Sequence, residues 1–143
     1  MARTIRPAAA TDAGVIYELM CQLEDTCFDR AAYNVRYIWQ LRNGAFHGLV
    51  LTKDAVVCGF INVRVERQLH HEHPVAEICE LVVDAAHRGS GCGTYLFGAA
   101  LDVARNLNCE VIEVDSNNVR EGARRFYEAR GMCKTHVKLT MPV

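Results

Sequence analysis

The chain has 143 residues, half of them apolar and 23% charged, with 16 Lys and Arg against 17 Asp and Glu for a net charge of −1. That length suits one ordinary domain, and the near-neutral balance argues against a dedicated nucleic-acid binder, which needs a basic surplus to displace counterions. No apolar run approaches the roughly 20 residues that span a bilayer, and the first residues lack the apolar centre of a signal peptide.

No linker, repeat or low-complexity segment interrupts the chain, so the sequence predicts a single domain over residues 1–143. RTIRPA (3–8) reads as a short strand. Thr11 or Asp12 can cap a helix whose Val15, Ile16, Leu19, Met20 and Leu23 share one face. A second helical stretch runs from about Asp29 to Leu41. FHGLVLT (46–52) and AVVCGFINVRVE (55–66) are strands joined by the turn Lys53-Asp54, an antiparallel hairpin. QLHHEHP (68–74) is a loop, and VAEICELVVD (75–84) is a third long strand. A helix from about Gly91 to Leu107 sets Leu96, Ala99, Ala100, Val103 and Leu107 on one side. EVIEVDS (110–116) is a strand with both faces covered. REGARRFYEARG (120–131) is a helix stopped by Gly131. CKTHVKLTM (133–141) closes the chain as a strand. The order is β-α-α-β-β-β-α-β-α-β, a mixed α/β chain.

The seven cysteines are Cys21, Cys27, Cys58, Cys79, Cys92, Cys109 and Cys133, an odd number without a C-x-x-C pair. Neither a zinc ribbon nor a thioredoxin motif follows from them. They read as reduced, mostly buried thiols of a cytoplasmic protein.

AHRGSGCGTYLF (86–97) carries most of the functional information. Glycine lets a ligand approach bare main chain, and a helix that starts there aims unsatisfied N–H groups and the positive end of its dipole outward. That combination takes phosphates. Two familiar glycine loops fail on spacing. The P-loop requires a lysine that the stretch lacks. The dinucleotide fingerprint would need glycine where Thr94 stands. The pattern that fits is R-x-x-G-x-G, Arg88-Gly89-Ser90-Gly91-Cys92-Gly93.

Together with ELVVDAAH before it and ARRFYEARGM (123–132) after it, this pattern resembles the acetyl-CoA site of the GNAT family of N-acetyltransferases. The resemblance covers essentially the whole chain. It implies the GNAT fold, a single mixed and mostly antiparallel sheet flanked by helices, and an acetyl-CoA-dependent enzyme. It also implies that the amides around Arg88, Gly89, Ser90, Gly91, Cys92, Gly93 and Thr94 hold the CoA diphosphate. The main chain of Leu81, Val82 and Val83 would then meet the pantetheine arm. Asn118 stands near where relatives place a cofactor-touching asparagine.

Acetyl transfer to an amine needs a base for the nucleophile, polarisation of the thioester carbonyl and an acid for the leaving thiolate. The resemblance makes Tyr127 the acid, since a phenol with a pKa of about 10 can protonate a thiolate as it forms; a packed core aromatic is the alternative. Glu77 and Glu80 are the candidate bases, because carboxylates in an apolar strand are expensive unless paired or useful. Regular alternation puts them on opposite faces. The resemblance implies a β-bulge that turns both toward the site. Glu77 ranks first, and a solvent-facing or ion-paired role remains open for either. Cys79 has no histidine partner in the sequence and reads as an inert buried thiol.

LEDTCFDRAAY (23–33) and QLHHEHPVAEICELVV (68–83) further resemble the aminoalkylphosphonate N-acetyltransferases. By that resemblance the acceptor is a small amine bearing a phosphonate, with Asp29, Arg64 and His71 bordering it. A phosphonate needs cations or N–H donors. A divalent metal is also implied, although His70-His71-x-His73 on a loop has no defined ligand geometry. The alternatives are an acetyltransferase for an antibiotic, polyamine or protein N-terminus, and a non-catalytic CoA-binding regulatory module. HVKLTM is a candidate edge strand for a homodimer.

Overall fold

The computed structural model describes residues 2–116 and 121–143. The elements are β1 (Arg3–Pro7), α1 (Ala13–Glu24), α2 (Arg30–Leu41), β2 (Phe46–Lys53), β3 (Val56–Glu66), β4 (Val75–Val83), α3 (Cys92–Asn106), β5 (Val111–Val114) and α4 (Glu121–Ala129). They form two compact units, Met1–Glu113 and Val114–Val143.

In the first unit the strands lie in the order β1-β2-β3-β4-β5, and β1 to β4 pair antiparallel. The β2–β3 hairpin turns through Asp54 and Ala55, both at positive φ. Period-two alternation then sorts the side chains. Val50, Phe60 and Val82 face α1 and α2, where they close a core with Ile16, Leu19, Tyr33 and Tyr37. The intervening Leu51 and Ile61 are fully buried on the other side. That side is covered by α3, whose Leu96 reaches so close to Gly59 that a Cβ there would stand 2.8 Å from it.

Asp12 precedes α1 as expected, but its side chain makes no cap bond to the helix. It accepts from both Arg6 guanidinium nitrogens at 2.7 and 2.9 Å and from the Ala9 N–H at 2.8 Å. The carboxylate is thus spent on tying β1 to the entrance of α1. Arg6, and secondarily the Ala9 N–H, hold its pKa below the ordinary carboxylate value against the cost of burial.

The second unit contains α4, which ends at Gly131 with φ 98°. The sequence predicts a closing strand over 133–141, but residues 132–143 form no strand. Val137, Leu139 and Met141 are exposed. A strand is stable only when paired, and among the described residues of this unit only the tail of β5 has strand conformation.

A depressed folded-state pKa gives stability that is present above the unfolded value of about 4 and is lost as pH falls through the folded value. Asp12→Ala should therefore cost about 1–3 kcal/mol at pH 7. In urea melts the gap to the parent protein should narrow below about pH 4.

Candidate active site

At the end of β4 the chain is anchored before it turns. Asp84 accepts from Gln22 Nε2 of α1 at 2.8 Å, and Gln22 Oε1 accepts from the Ala85 N–H at 3.0 Å. One tight turn over Ala85–His87 follows, with Asp84 Oδ2 accepting the Ala86 N–H. Gly89 and Gly91 then take φ of 80° and 83°, the left-handed region that side chains resist. Gly91 is the N-cap of α3.

The carbonyls around this turn are engaged from behind. Arg88 Nε donates to the Val83 carbonyl at 3.2 Å, and Ser90 Oγ to the His87 carbonyl at 2.6 Å. Arg3 of β1 donates to the Ser90 carbonyl at 2.5 Å while its guanidinium lies 5.0 Å from the centre of the Tyr95 ring. First-turn amides of a helix have no intrahelical acceptor. With its carbonyls fastened, the turn offers donors and a positive helix end, the electrostatics of an anion site. Around Gly89 nothing approaches within 4 Å of a virtual Cβ, so that glycine serves backbone shape and access rather than packing.

The second feature is a register shift in β4. Arg64 pairs with Glu77 and Val63 with Ile78, whereas Asn62 pairs with Glu80, leaving Cys79 as the extra residue. Arg64 and Asn62 share one face of β3, so the bulge puts Glu77 and Glu80 on that same face. It is the face that α1 and α2 cover. The two carboxyls have different company. Glu77 accepts from Arg64 Nη2 at 2.7 Å, and Arg64 Nε is 3.1 Å from Glu66. Glu80 accepts from Asn62 Nδ2 at 3.1 Å, and Asn62 in turn donates to Gln40 Oε1 of α2 at 2.8 Å. Burial raises the Glu80 pKa; the Asn62 bond opposes the rise, and the charges of Glu24 and Glu77 add to it.

Cys79 is exposed, not the buried thiol that the sequence predicts. Its sulfur is 3.8 Å from the Glu77 carboxylate. Desolvation and the charges of Glu80 and Glu77 push the thiol up to about 12, so it stays protonated at neutral pH.

Leu81, Val82 and Val83 lie between the bulge and the glycine turn, paired with Ile61, Phe60 and Gly59. Asp29 is the N-cap of α2 and accepts the Ala32 N–H at 2.8 Å, so its carboxylate organises the helix. His71 Nδ1 is 3.3 Å from Glu110, which also accepts the His73 N–H at 2.9 Å. These bonds fasten the histidine loop to the residue before β5 and hold the Glu110 pKa low, the His73 bond foremost. Among the described residues no three His, Cys, Asp or Glu side chains converge as metal ligands. His71 and Glu110 are engaged with each other, so the described donors do not fit a divalent ion. In the second unit Tyr127 is buried with its ring edge-on to Phe126 at 5.4 Å. Burial pushes its phenol up to about 12. Asn118 lies outside the described residues.

The structure thus gathers Glu77, Glu80 and Arg64 on one face and shapes Arg88–Thr94 as a donor turn. Asn62 and Gln40 were missed by sequence reasoning; an asparagine inside the apolar run FINVRV was the available signal.

Residues 14–132 match the model of the acetyltransferase (GNAT) family. The chain is 30% identical over 136 residues to the aminoalkylphosphonate N-acetyltransferase of Salmonella typhimurium, covering 95% of this chain and 88% of that one. A transcriptional regulator from Bacillus halodurans superposes with a TM-score of 0.91 at 21% identity, covering 99% of this chain and 100% of that one. An aminoglycoside antibiotic 6'-N-acetyltransferase from Acinetobacter haemolyticus superposes at 0.84 with 20% identity, covering 98% and 97%.

The turn's geometry yields a paired expectation. Gly91→Val forces a branched side chain into the left-handed region and should cost about 1–2 kcal/mol. Gly98→Ala, in the middle of α3 with nothing within 4 Å of its virtual Cβ, should gain about 0.5–1 kcal/mol. Thermal melts of the two variants check both signs.

Proposed function

The chain belongs to the acetyltransferase (GNAT) family, and from that premise we propose that it moves the acetyl group of acetyl-CoA directly onto the primary amine of an aminoalkylphosphonate. The coarser statement, an acetyl-CoA-dependent N-acetyltransferase, follows from membership itself. The finer one is supported by the relative from Salmonella typhimurium, matched over 95% of this chain. The observation that carries the reading is the β4 bulge, which sets two carboxylates on one face a few residues before a donor-rich turn.

In this reading the amides of Arg88–Thr94 bind the CoA diphosphate, and the main chain of Leu81, Val82 and Val83 guides the pantetheine arm toward the carboxylates. An N–H near Leu81 or Val82 stabilises the oxyanion. Glu77, half-buried and open enough to pass a proton to solvent, takes the proton from the attacking nitrogen, directly or through water. As the new C–N bond forms, the C–S bond breaks, and Tyr127 returns a proton to the CoA sulfur. Its raised pKa keeps the phenol protonated throughout the neutral range, the state a donor needs. Asn118 contacts the cofactor. Arg64, 2.7 Å from Glu77, serves the acceptor's phosphonate. His71 borders the same acceptor from the loop that Glu110 holds, and Asp29 acts through the helix it caps.

Thiol release from acetyl-CoA with a panel of amines, with and without divalent metal, tests the substrate. Aminomethyl- and aminoethylphosphonate should react fastest. Reaction with peptides alone would overturn the phosphonate reading. CoA binding without turnover of any amine would leave a non-catalytic CoA-binding module.

Two substitutions test the residue roles. Glu77→Gln should lower kcat by about 10²–10⁴-fold, and Tyr127→Phe should slow turnover; in both the affinity for CoA, read by calorimetry, should hardly change. A parental rate and pH profile in Glu77→Gln would pass the role of base to Glu80.

A further inference from the structure

Over the face that carries the carboxylates, α2 places a tyrosine that takes no part in the proton transfers of Glu77 and Tyr127. Tyr17, Tyr33 and Tyr37 form a ring cluster in the core under α1 and α2, with centroids 5.1 Å apart for the first pair and 6.0 Å for the second. Tyr17 donates its hydroxyl to the Phe28 carbonyl and Tyr37 to the Ala9 carbonyl, each at 2.6 Å. Tyr33 is 7% exposed, and its hydroxyl is buried with no hydrogen-bond partner among the described residues. Buried hydroxyls are seldom left so, because an unmade bond forfeits the whole cost of desolvation.

Its placement supplies a partner. On the face that α2 covers, Phe60 pairs with Val82, and the next pair along is Asn62 with Glu80. Tyr33 packs in one cluster with Phe60 and Val82. Two helical turns on, Gln40 of the same helix accepts from Asn62, and Asn62 donates to Glu80. Tyr33 and Glu80 therefore occupy adjoining positions over one stretch of sheet, and the Glu80 charge is among those that raise the phenol's pKa. Glu80 has its own deficit: a carboxylate can accept about four hydrogen bonds, whereas this one accepts from Asn62.

We propose that Tyr33 is a positioning residue for Glu80: its phenol O–H is the second donor that the ionised Glu80 carboxylate takes up, and Glu80 so held seats the protonated amino group of the acceptor. The inference rests on the acetyl-transfer reading for the identity of the acceptor, but not for the Tyr33–Glu80 bond. A buried carboxylate with one donor resists ionisation. A second donor from α2 makes the anion available to a cation, and proton removal by Glu77 follows once the amine is seated. The other groups acting on Glu80 and its surroundings are Glu24 from α1, Glu77 and Cys79 from β4, and Arg64 of β3 through Glu77. Arg30 and Arg36 act on the Tyr33 phenol.

The experiment is a carboxyl NMR titration of protein labelled at glutamate, with the Glu80 signal assigned by its loss in Glu80→Gln. Tyr33→Phe keeps the ring and removes the hydroxyl. A donor to the ionised form lowers a pKa, so its removal should move the Glu80 titration up by about one pH unit. Tyr37→Phe, whose parent hydroxyl serves Ala9, should leave that titration in place while lowering stability. With the amine that the parent turns over, Tyr33→Phe should raise the acceptor KM about ten-fold, with kcat and the acetyl-CoA KM near parental values. An unmoved Glu80 titration in Tyr33→Phe, or an equal shift in Tyr37→Phe, overturns the proposal. So does an unchanged acceptor KM. If the parent acetylates no amine while Tyr33→Phe still shifts Glu80, the bond stands and the acetyl-transfer reading falls.

Discussion

One extra residue in β4 decides which face of the sheet its two carboxylates occupy. A regular strand would send Glu77 and Glu80 to opposite faces, one under α1 and α2 and the other under α3. With Cys79 inserted, Arg64 still faces Glu77 and Asn62 faces Glu80. Both carboxyls then share the α2 side, each with its own β3 partner. The bulge costs a regular ladder bond, and the Arg64–Glu77 and Asn62–Glu80 bonds at 2.7 and 3.1 Å secure the two strands on either side of it.

The other end of β4 solves a separate problem. A turn meant to hold an anion must show N–H groups and hide carbonyls. Here Arg88, Ser90 and Arg3 take the carbonyls of Val83, His87 and Ser90. Two glycines at positive φ allow the backbone to fold that way. The side chains that shape the turn come from β1, from α1 through Gln22, and from the turn itself. The donor turn and the carboxylates are thus held on one element, β4, which is rigid.

Periodicity made the helices and the five strands legible, because burial on one face leaves a pattern in sequence. The glycine turn was legible because only glycine tolerates its φ values. The bulge was not, since it exists only as a register against β3; residues 75–84 alone read as plain alternation, and the expectation of a bulge came from the family resemblance. Asp12 was legible as a helix entrance, but its use by Arg6 depends on a strand six residues earlier. Cys79 was misjudged as buried for the same reason as the bulge, since the inserted residue leaves the alternation and is exposed. The strand expected over 133–141 has the right residues, but pairing and not propensity decides whether a strand forms.

The bulge also creates a difficulty, since the Glu77 charge on the same face raises the Glu80 pKa. Their surroundings separate them. Arg64 sits at 2.7 Å from Glu77 and places a full positive charge beside that carboxylate. Glu80 accepts from the neutral Asn62 amide instead; burial raises its pKa, that bond opposes the rise, and the charges of Glu24 and Glu77 add to it. Two like groups a few residues apart are thereby given different partners, a guanidinium for one and an amide for the other.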